Sequence, residues 1–471
     1  MHLRHIPAWL IALPAVLSAQ QGEFSDPARE TKLRAAFPAV DSIMREFTGR
    51  EHVPGAAWAI VMDDRVVHMG VTGLRDVATK APVDSSTVFR IASMTKSFTA
   101  MAIMRLRDGG KLSLDEPAEK YVPELKALAY PTSDSPKVTI RHLLAHATGF
   151  PEDNPWGDQQ LARTDAELSA MLKRGIPFSN APGVAYEYSN YGYAILGRIV
   201  TRASGTPYNN YVSTHILKPL GMHSTTLAPA SVPAARLAHG YRWEDQRWKE
   251  EPQLPDGSFG AMGGMLTSLS DLGRYVSAFL GAWPPRDGPE TSPVRRASLR
   301  EMQQIWRADA PSVARDSAGV RLNAGGYGFG LRVWADCRFG HIVAHSGGLP
   351  GFGSRMQWLP EYGIGIIAFG NRTYTGWSAP VAAALATLQE KAALSPREAV
   401  PGRALADARQ RVTNLLLRWD DQLARSLAAE NLFLDRSIDR RRAEVAALLE
   451  NAGSCKPASG FAYVENALRG R

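Results

Sequence analysis

Apolar residues follow a helical or a strand-like pattern in turn along most of the chain. Residues 27–50 place apolar side chains at helical spacing. Residues 56–73, which read AAWAIVMDDRVVHMGVTG, join two apolar runs through an Asp-Asp pair and predict a β-hairpin. A second helix is predicted over about 93–107, just before a Gly-Gly stop signal. The first part of the chain therefore predicts helix, hairpin and helix in that order.

Helix-like segments fill the middle, about 112–320, and short β-type runs return after it. These runs are GYGFGLRVW, HIVAHSG, SRMQWLP and GIGIIAFG, and a helix follows over about 377–392. The early and late strands most simply pair in one antiparallel sheet flanked by helices, with an inserted, mainly helical lobe. The pattern therefore predicts an α+β fold, with a functional cleft between sheet and lobe.

The two ends of the chain carry separate signals. An apolar stretch from Ile6 to Leu17 is too short to span a bilayer, so residues 1–20 predict a secretory signal cleaved after Ala19. An uncleaved anchor is the alternative, and no other segment predicts a membrane span. We therefore expect a periplasmic or secreted protein. The main folded domain is expected over 21–393, a linker over 394–404 and a helical C-terminal extension over 405–471.

Charge and cysteines narrow the class of protein further. The net charge of +8 is spread among mixed acids and bases, which argues against a nucleic-acid partner. In an oxidising compartment Cys337 and Cys455 can pair, and such a disulfide would tether the extension to the rest of the chain. Two free thiols are the alternative.

Ser93 and Lys96 stand three residues apart at the start of the second predicted helix, in IASMTKSFTA. Residues at this spacing share a helix face, so the hydroxyl and the amine can meet. Serine needs a partner that takes its proton, and lysine does so only when burial or positive charge keeps its amine neutral. The neighbours are mostly apolar. Since S-x-x-K is also common on ordinary helices, this motif alone does not show whether Ser93 and Lys96 are a catalytic pair.

Two later stretches carry other groups that acyl transfer needs. In YEYSNYGYAILG, the Tyr188 phenol can relay a proton, and Asn190 can donate to a substrate carbonyl and to Lys96. A simple helix start with a Ser or Asn cap is the alternative. In HIVAHSGGLPGFGS, a strand ends in glycines whose N–H groups can bind a developing oxyanion. A glycine-rich turn is the alternative there.

Motifs that are typical of other reaction types are absent from the sequence. The sequence contains no G-x-S-x-G, no H-E-x-x-H and no G-x-x-x-x-G-K-[ST] phosphate loop. His142 and His146 have i, i+4 spacing, but no third ligand follows closely. We interpret them as structural histidines or as partners of site residues, and we expect neither a metal nor a cofactor.

In this order, S-x-x-K, Y-S-N and H-S-G resemble the three motifs of the penicillin-recognising serine hydrolases. The flanking sequence is similar to the class C β-lactamase-like branch, which includes D-alanyl-D-alanine carboxypeptidases, D-amino-acid peptidases and carboxylesterases. The matching phrases are FRIASMTKSFTAMAI, LLAHATGF, YSNYGYAILG, LKPLGM, GAMGGMLTSLSDLGRY and GGLPGFGS. The resemblance covers about residues 30–392 and implies an acyl-enzyme mechanism on that family's fold.

The resemblance also implies a role for individual residues. Ser93 looks like the acylated nucleophile and Lys96 like its general base. Tyr188 resembles the second proton carrier, and Asn190 the amide that orients the substrate. The backbone N–H groups of Ser93 and Gly348 would form the oxyanion hole. The third motif and the glycine after it supply further substrate-binding residues: His345, Ser346, Gly347 and Gly348.

One position departs from the β-lactamase relatives. Their third motif usually begins with lysine, whose cation helps to hold a substrate carboxylate, whereas His345 is mostly neutral at pH 7. We therefore expect a serine hydrolase acting on a small ester or amide, with D-amino-acid peptides among the candidates. A true β-lactamase or D-Ala-D-Ala carboxypeptidase is one alternative. A penicillin- or peptide-binding sensor with poor turnover is the other.

Overall fold

The computed structural model describes residues 22–286, 288–316, 319–466 and 468–470. The described chain forms two compact units. The larger unit comprises Asp26–Pro285 and Glu290–Arg397. The smaller unit comprises the described residues before Asp26, those beside Gly288, and those from Glu398 onward. The boundary at Arg397 lies within the stretch that the sequence predicts as a linker.

The described strands and helices have the following bounds. The strands are β1 (Gly55–Met62), β2 (Arg65–Asp76), β3 (Ala81–Pro82), β4 (Phe89–Arg90), β5 (Tyr241–Glu244), β6 (Arg247–Glu250), β7 (Leu266–Thr267), β8 (Arg307–Ala308), β9 (Ser312–Asp316), β10 (Gly319–Tyr327), β11 (Arg332–Ala335), β12 (Ile342–Leu349), β13 (Phe352–Leu359), β14 (Ile364–Gly370), β15 (Val464–Asn466) and β16 (Arg469–Gly470). The helices are α1 (Arg29–Arg50), α2 (Thr95–Asp108), α3 (Ile140–Leu144), α4 (Asp165–Lys173), α5 (Asn190–Ser204), α6 (Tyr208–Val212), α7 (Gly260–Gly263), α8 (Leu269–Leu280), α9 (Arg296–Met302), α10 (Ser378–Ala392), α11 (Arg403–Leu417), α12 (Asp421–Leu427) and α13 (Ile438–Ala452).

One antiparallel sheet is the frame of the larger unit. Its strand order is β3-β2-β1-β14-β13-β12-β11-β10-β8, with β9 paired to β10. Early β1 and late β14 are neighbours, so the predicted pairing of the first and last strands is confirmed. The predicted α+β fold, with helices around an antiparallel sheet, is confirmed as well.

Both faces of the sheet are covered, and β1 shows why. Its eight residues are all buried, and neighbouring side chains point to opposite faces. Ala57, Ala59 and Val61 pack into the core shared with the helical lobe, which includes residues of α2 and α5. Trp58 and Ile60 pack into a second core with α1 and α10. The helical and strand-like patterns in the sequence therefore agree with one sheet that is covered by helices on both faces.

Two predicted regions differ in detail from the structure. The middle segment, predicted as helix-like, also contains the hairpins β5–β6 and β9–β10. The β5–β6 turn is formed by Asp245 and Gln246, both at positive φ, and a Trp243–Trp248 pair crosses it. Such a short hairpin has too few residues to show a clear period of two. The run GYGFGLRVW is likewise divided between β10 and β11 by a turn at Gly328–Gly330.

The smaller unit contains α11, α12 and α13 and the β15–β16 hairpin, where the sequence predicts amphipathic helix to about Ala452. Cys337 and Cys455 are both exposed and free in the structure, so their disulfide stays a prediction that thiol titration of the exported protein can test. The predicted signal, residues 1–20, lies outside the described residues. Within the described ranges, no helix is both long and apolar enough to cross a membrane.

Candidate active site

Ser93 lies in a single 3₁₀ turn, Ala92–Met94, directly before α2. Ala92 has φ of 49°, a left-handed conformation that costs a non-glycine residue free energy and that functional sites often retain. Two glycines border the turn. A Cβ added at Gly347 of β12 would collide with the Ile91 carbonyl, and one at Gly263 of α7 would touch the Ala92 backbone. Close backbone packing therefore fixes the position of Ser93, which keeps 8% of its surface exposed.

Lys96 points its amine at Ser93 from one turn further along the chain. Nζ lies 3.0 Å from Ser93 Oγ, 2.6 Å from Asn190 Oδ1 and 2.8 Å from the Met262 carbonyl oxygen. A neutral amine has two N–H groups and one lone pair. Because Asn190 and Met262 offer only acceptors in these contacts, they can bind both N–H groups and leave the lone pair directed at the serine hydroxyl.

Burial also favours the neutral amine. Lys96 is completely buried, and desolvation lowers the pKa of Lys96 to about 7, although the carboxylates of Asp158 and Asp153 act in the opposite direction. About half of the protein then carries a neutral amine at pH 7. For an ordinary lysine the neutral fraction is about 10³-fold smaller.

Tyr188 completes the contact around the serine hydroxyl. Burial raises the pKa of the Tyr188 phenol well above its ordinary value, and the nearby Ser93 side chain lowers that pKa to a smaller extent. The Lys96 amine lies 4.8 Å from the centre of the Tyr188 ring. The phenol is therefore protonated at neutral pH and can donate a proton to a leaving group. The structure thus brings together the three residues that the sequence predicts as catalytic.

Asn190 lies beside this group, but its contacts differ from the predicted ones. Its Oδ1 accepts a hydrogen bond from Lys96, whereas the sequence predicts that the amide donates to that lysine. Its Nδ2 donates to Asn154 Oδ1 at 2.6 Å, and a Cβ on Gly157 would lie 2.6 Å from Asn190 Cβ. Because Asn190 is completely buried under this loop, it orients Lys96 and does not face the open cleft.

His345 is engaged on both ring nitrogens. Nδ1 donates to the Ser346 carbonyl at 2.6 Å, and Nε2 accepts from the Tyr327 hydroxyl at 2.8 Å. Burial lowers the pKa of His345 to about 3, so the ring is neutral at physiological pH. The side chain is only 4% exposed. Both ring nitrogens therefore have protein partners, and a substrate-binding role for His345 stays a prediction.

The remaining third-motif residues lie along β12, where the strand has one open edge. Within the described chain, β11 pairs only with Ile342–Ala344 of this strand, while β13 pairs with it as far as Leu349. The Ser346 hydroxyl accepts from Arg355 on β13. A Cβ on Gly348 would lie 2.6 Å from the Tyr374 ring. The oxyanion hole formed by Ser93 and Gly348 stays a prediction.

Several groups at this site carry no recognisable sequence signal. The Met262 carbonyl contacts Lys96, yet a backbone atom cannot be identified from a motif. Asp153 accepts from the backbone N–H groups of Asn190 and Tyr191 at 2.7 and 2.8 Å, and Asp158 accepts from Tyr374 at 3.0 Å. Both acids come from a loop without periodicity. Only their density in PEDNPWGD, close before Y-S-N, offered a hint.

The two histidines with i, i+4 spacing have different surroundings. His142 Nδ1 accepts from the Thr139 backbone N–H and caps α3. The His146 ring lies 4.3 Å from the Tyr188 ring, and its Nδ1 accepts from the Ser189 N–H. His146 is therefore a partner of a site residue. In the part of the chain that the structure describes, no three side chains form a candidate metal site.

A cavity of about 250 Å³ lies next to the site and includes Asp153 and Ser189 in its wall. Its other walls are mostly apolar, from side chains such as Phe150, Trp156 and Ile176. Since Asp153 also binds the N-terminus of the helix that carries Asn190, this cavity borders the elements that position Lys96.

Comparisons with known proteins agree with this geometry. The Beta-lactamase family model matches residues 40–391. Protein flp of Staphylococcus aureus (strain MW2) is 29% identical over 337 residues, which are 70% of this chain and 62% of that relative. Esterase EstB of Burkholderia gladioli is 27% identical over 384 residues, covering 74% of this chain and 93% of the esterase. The chain thus spans less than two thirds of the length of protein flp.

Two solved structures share the fold. The octameric penicillin-binding protein homologue from Pyrococcus abyssi superposes with a TM-score of 0.64 at 27% identity, covering 75% of this chain and 77% of that one. A class C beta-lactamase superposes with a TM-score of 0.60 at 20% identity, covering 77% of this chain and all of the other. The family resemblance noted in the sequence is confirmed. The chain belongs to the beta-lactamase family.

Proposed function

We propose that this protein hydrolyses a small ester or amide through an acyl-enzyme on Ser93. The observation that carries the proposal is the environment of Lys96, whose buried amine has two fixed acceptors and a third contact to the serine hydroxyl. A serine in ordinary surroundings is a weak nucleophile, and an adjacent base activates it.

Acylation uses the neutral amine of Lys96 as the base. The amine takes the Ser93 proton while Oγ forms a bond to the substrate carbonyl carbon. The N–H groups of Ser93 and Gly348 bind the resulting oxyanion. The bond to the leaving oxygen or nitrogen then breaks, the Tyr188 phenol gives that atom a proton, and the Lys96 ammonium restores the phenol.

Deacylation runs through the same groups. Water attacks the acyl carbon and gives up a proton to the amine of Lys96. The bond from carbon to Ser93 Oγ breaks, Oγ takes back a proton, and the carboxylic acid leaves. The side chains of Ser93, Lys96 and Tyr188 and the two backbone N–H groups perform all of these steps.

Two observations favour an ester or a small amide over a β-lactam. His345 offers no cation for a substrate carboxylate, and a relative that aligns along nearly its whole length is an esterase. A D-amino-acid peptide is a candidate amide. Assays with a short-chain nitrophenyl ester, nitrocefin and a D-Ala-D-Ala peptide, run side by side, rank these substrates. Rapid acylation without release would instead support a penicillin- or peptide-binding sensor.

The test is labelling by a fluorophosphonate probe, which reacts with activated serines. We expect Ser93→Ala to abolish both labelling and ester hydrolysis. Ser42→Ala is the matched control, because Ser42 is an exposed serine on α1 whose hydroxyl donates to the Pro38 carbonyl. Labelling that persists in the Ser93 variant would refute the assignment.

We also propose that the protein is exported to the periplasm or secreted, with residues 1–20 as the cleaved signal. The apolar stretch from Ile6 to Leu17 and the small residues after it support this. N-terminal sequencing of protein from a fractionated culture is the test. A mature protein that begins at residue 20 or 21 is expected, whereas an intact N-terminus on cytoplasmic protein would contradict the proposal.

A further inference from the structure

Tyr374 connects two sides of the candidate active site. Its ring packs against Gly348 of β12, where an added Cβ would lie 2.6 Å from the ring. Its hydroxyl donates to a carboxylate oxygen of Asp158 at 3.0 Å. Gly348 belongs to the sheet, whereas Asp158 lies in a 3₁₀ turn, Gly157–Gln160, that precedes α4. The Tyr374 side chain therefore bridges the third-motif strand and the loop before α4.

The Asp158 end of this bridge is next to the partners of Lys96. Gly157, the neighbour of Asp158, packs so closely on Asn190 that an added Cβ would lie 2.6 Å from Asn190 Cβ. Asn190 in turn accepts from Lys96. Asp158 is only 3% exposed, and a buried carboxylate is costly unless it accepts hydrogen bonds. The contact with Tyr374 therefore stabilises the carboxylate where it lies.

The loop that carries Tyr374 is held in place by its backbone. Tyr374 has φ of 52°, a conformation that costs a non-glycine residue free energy and persists only where the surroundings fix it. Its backbone N–H donates to the Phe352 carbonyl at 3.1 Å, and the Thr373 hydroxyl accepts from the Gly351 N–H at 2.7 Å. The backbone under the ring is therefore fixed, so a substrate can displace the ring only by a side-chain rotation that breaks the hydrogen bond to Asp158.

The bridge runs beside the nucleophile. Gly348 follows Gly347, which packs on the turn that carries Ser93, and the Gly348 N–H is a predicted oxyanion donor. Ser93 is only 8% exposed, so little space is open around its hydroxyl. A substrate carbonyl that binds both oxyanion donors lies between Ser93 and Gly348, next to the Tyr374 ring. A bulky group beside that carbonyl would overlap the ring.

We propose that Tyr374, through its bridge to Asp158, sets the size of the substrate and admits esters or amides with small groups next to the scissile bond. This inference rests on the proposed hydrolysis at Ser93. A substrate with a bulky group there would have to break the Tyr374–Asp158 hydrogen bond and leave a buried carboxylate without that donor. Removal of the ring should therefore widen the site.

Two pairs of esters test the size limit. Nitrophenyl acetate and nitrophenyl cyclohexanecarboxylate differ in bulk on the acyl side, and phenyl acetate and 9-anthryl acetate differ in bulk on the leaving group. Intrinsic reactivity cancels when the same pair is compared between two forms of the protein. In Tyr374→Ala, the ratio of kcat/KM for the bulky ester to kcat/KM for the small ester should rise at least about 10-fold in one pair or both.

Further variants separate the size limit from general damage to the fold. Tyr374→Phe keeps the ring but removes the hydroxyl, so its ratio should rise less than that of Tyr374→Ala. Tyr463→Ala is the matched control, because Tyr463 is a tyrosine of similar exposure, 51% against 45%, in the smaller unit, and it should leave both ratios unchanged. General destabilisation slows both esters and does not favour the bulky one. Unchanged ratios in folded Tyr374→Ala or Tyr374→Phe would overturn the proposal.

A measurement on the unmodified protein covers the case in which the Tyr374 variants do not fold. For at least one pair, the protein should favour the small ester at least about 10-fold more than hydroxide ion does in the uncatalysed reaction, and the lack of such a preference would overturn the proposal. Failure of the proposed function is distinguishable, since in that case Ser93→Ala leaves ester hydrolysis intact. Failure of the size limit leaves hydrolysis dependent on Ser93 but indifferent to the bulk of the ester.

Discussion

Gly347 offers a sharp test of how the sheet positions the nucleophile. It lies on β12 with its α-carbon directed at the turn that carries Ser93. An added Cβ would come far closer to the Ile91 carbonyl and the Ser354 hydroxyl than real contacts allow, and within 3.0 Å of Ala92 Cβ. Because the Ile91 carbonyl is a backbone group, no side-chain rotation can relieve that overlap, so Gly347→Ala must separate the turn from the strand.

The size of the effect follows from that geometry. Relief of the overlap requires a shift of about 1 Å between Ser93 and the strand, and misplacement of that size can cost about 10²-fold in rate. We expect kcat/KM for a nitrophenyl ester to fall by about 10²-fold or more in Gly347→Ala, mainly through kcat. Stopped-flow acylation with a fluorophosphonate should show the same loss.

Gly376 is the matched control. It lies just before α10, and a Cβ there would meet nothing within 4 Å, so Gly376→Ala should keep activity within about 2-fold. Circular dichroism and the melting temperature separate a local shift from unfolding. A folded Gly347→Ala protein with unchanged kcat/KM would show that the close packing between β12 and the turn does not position the nucleophile.

Two further predictions concern the groups around Lys96. Asp158→Asn removes a negative charge that raises the pKa of Lys96. The pKa of Lys96 should therefore fall below about 7, and the acidic limb of the pH profile of kcat/KM should move to lower pH. A shift of that limb to higher pH would contradict the electrostatic argument. Tyr188→Phe removes the phenol that contacts Ser93, and kcat should fall by about 10²- to 10⁴-fold, the range for a lost proton donor. The loss should be smaller for a nitrophenyl ester, whose leaving group needs no proton, and an equal loss for amide and ester would argue against that role.

The sheet and its two flanking cores were largely predictable from local patterns. β1 is long, apolar and bounded by turns, and α1 repeats apolar residues at helical spacing, so each element follows from its own residues. The hairpins β5–β6 and β9–β10 were not predicted, because their strands are short or lie at the surface and carry mixed side chains. Their formation depends on turn conformations at Asp245 and Gln246 and on pairing partners.

The residues of the site also divide into those that the sequence predicts and those that it does not. Ser93, Lys96 and Tyr188 belong to motifs, and their meeting was expected from the order of those motifs along the chain. The roles of Asn190 and His345 could not be predicted from the sequence, because each role depends on which groups form hydrogen bonds with the side chain. Asn190 Nδ2 is hydrogen-bonded to Asn154, and His345 Nε2 to Tyr327, where a substrate would otherwise bind.

The direct test of the central claim is the pH dependence of Ser93 acylation. Single-turnover acylation by a substrate that does not ionise should rise with pH and level off, with an apparent pKa of about 7, as expected for a buried amine that must be neutral to act. The same titration should appear in the NMR signal of an isotopically labelled Lys96 in the free protein. Acylation that keeps rising to pH 10, together with a lysine signal that titrates near its ordinary pKa, would contradict the account.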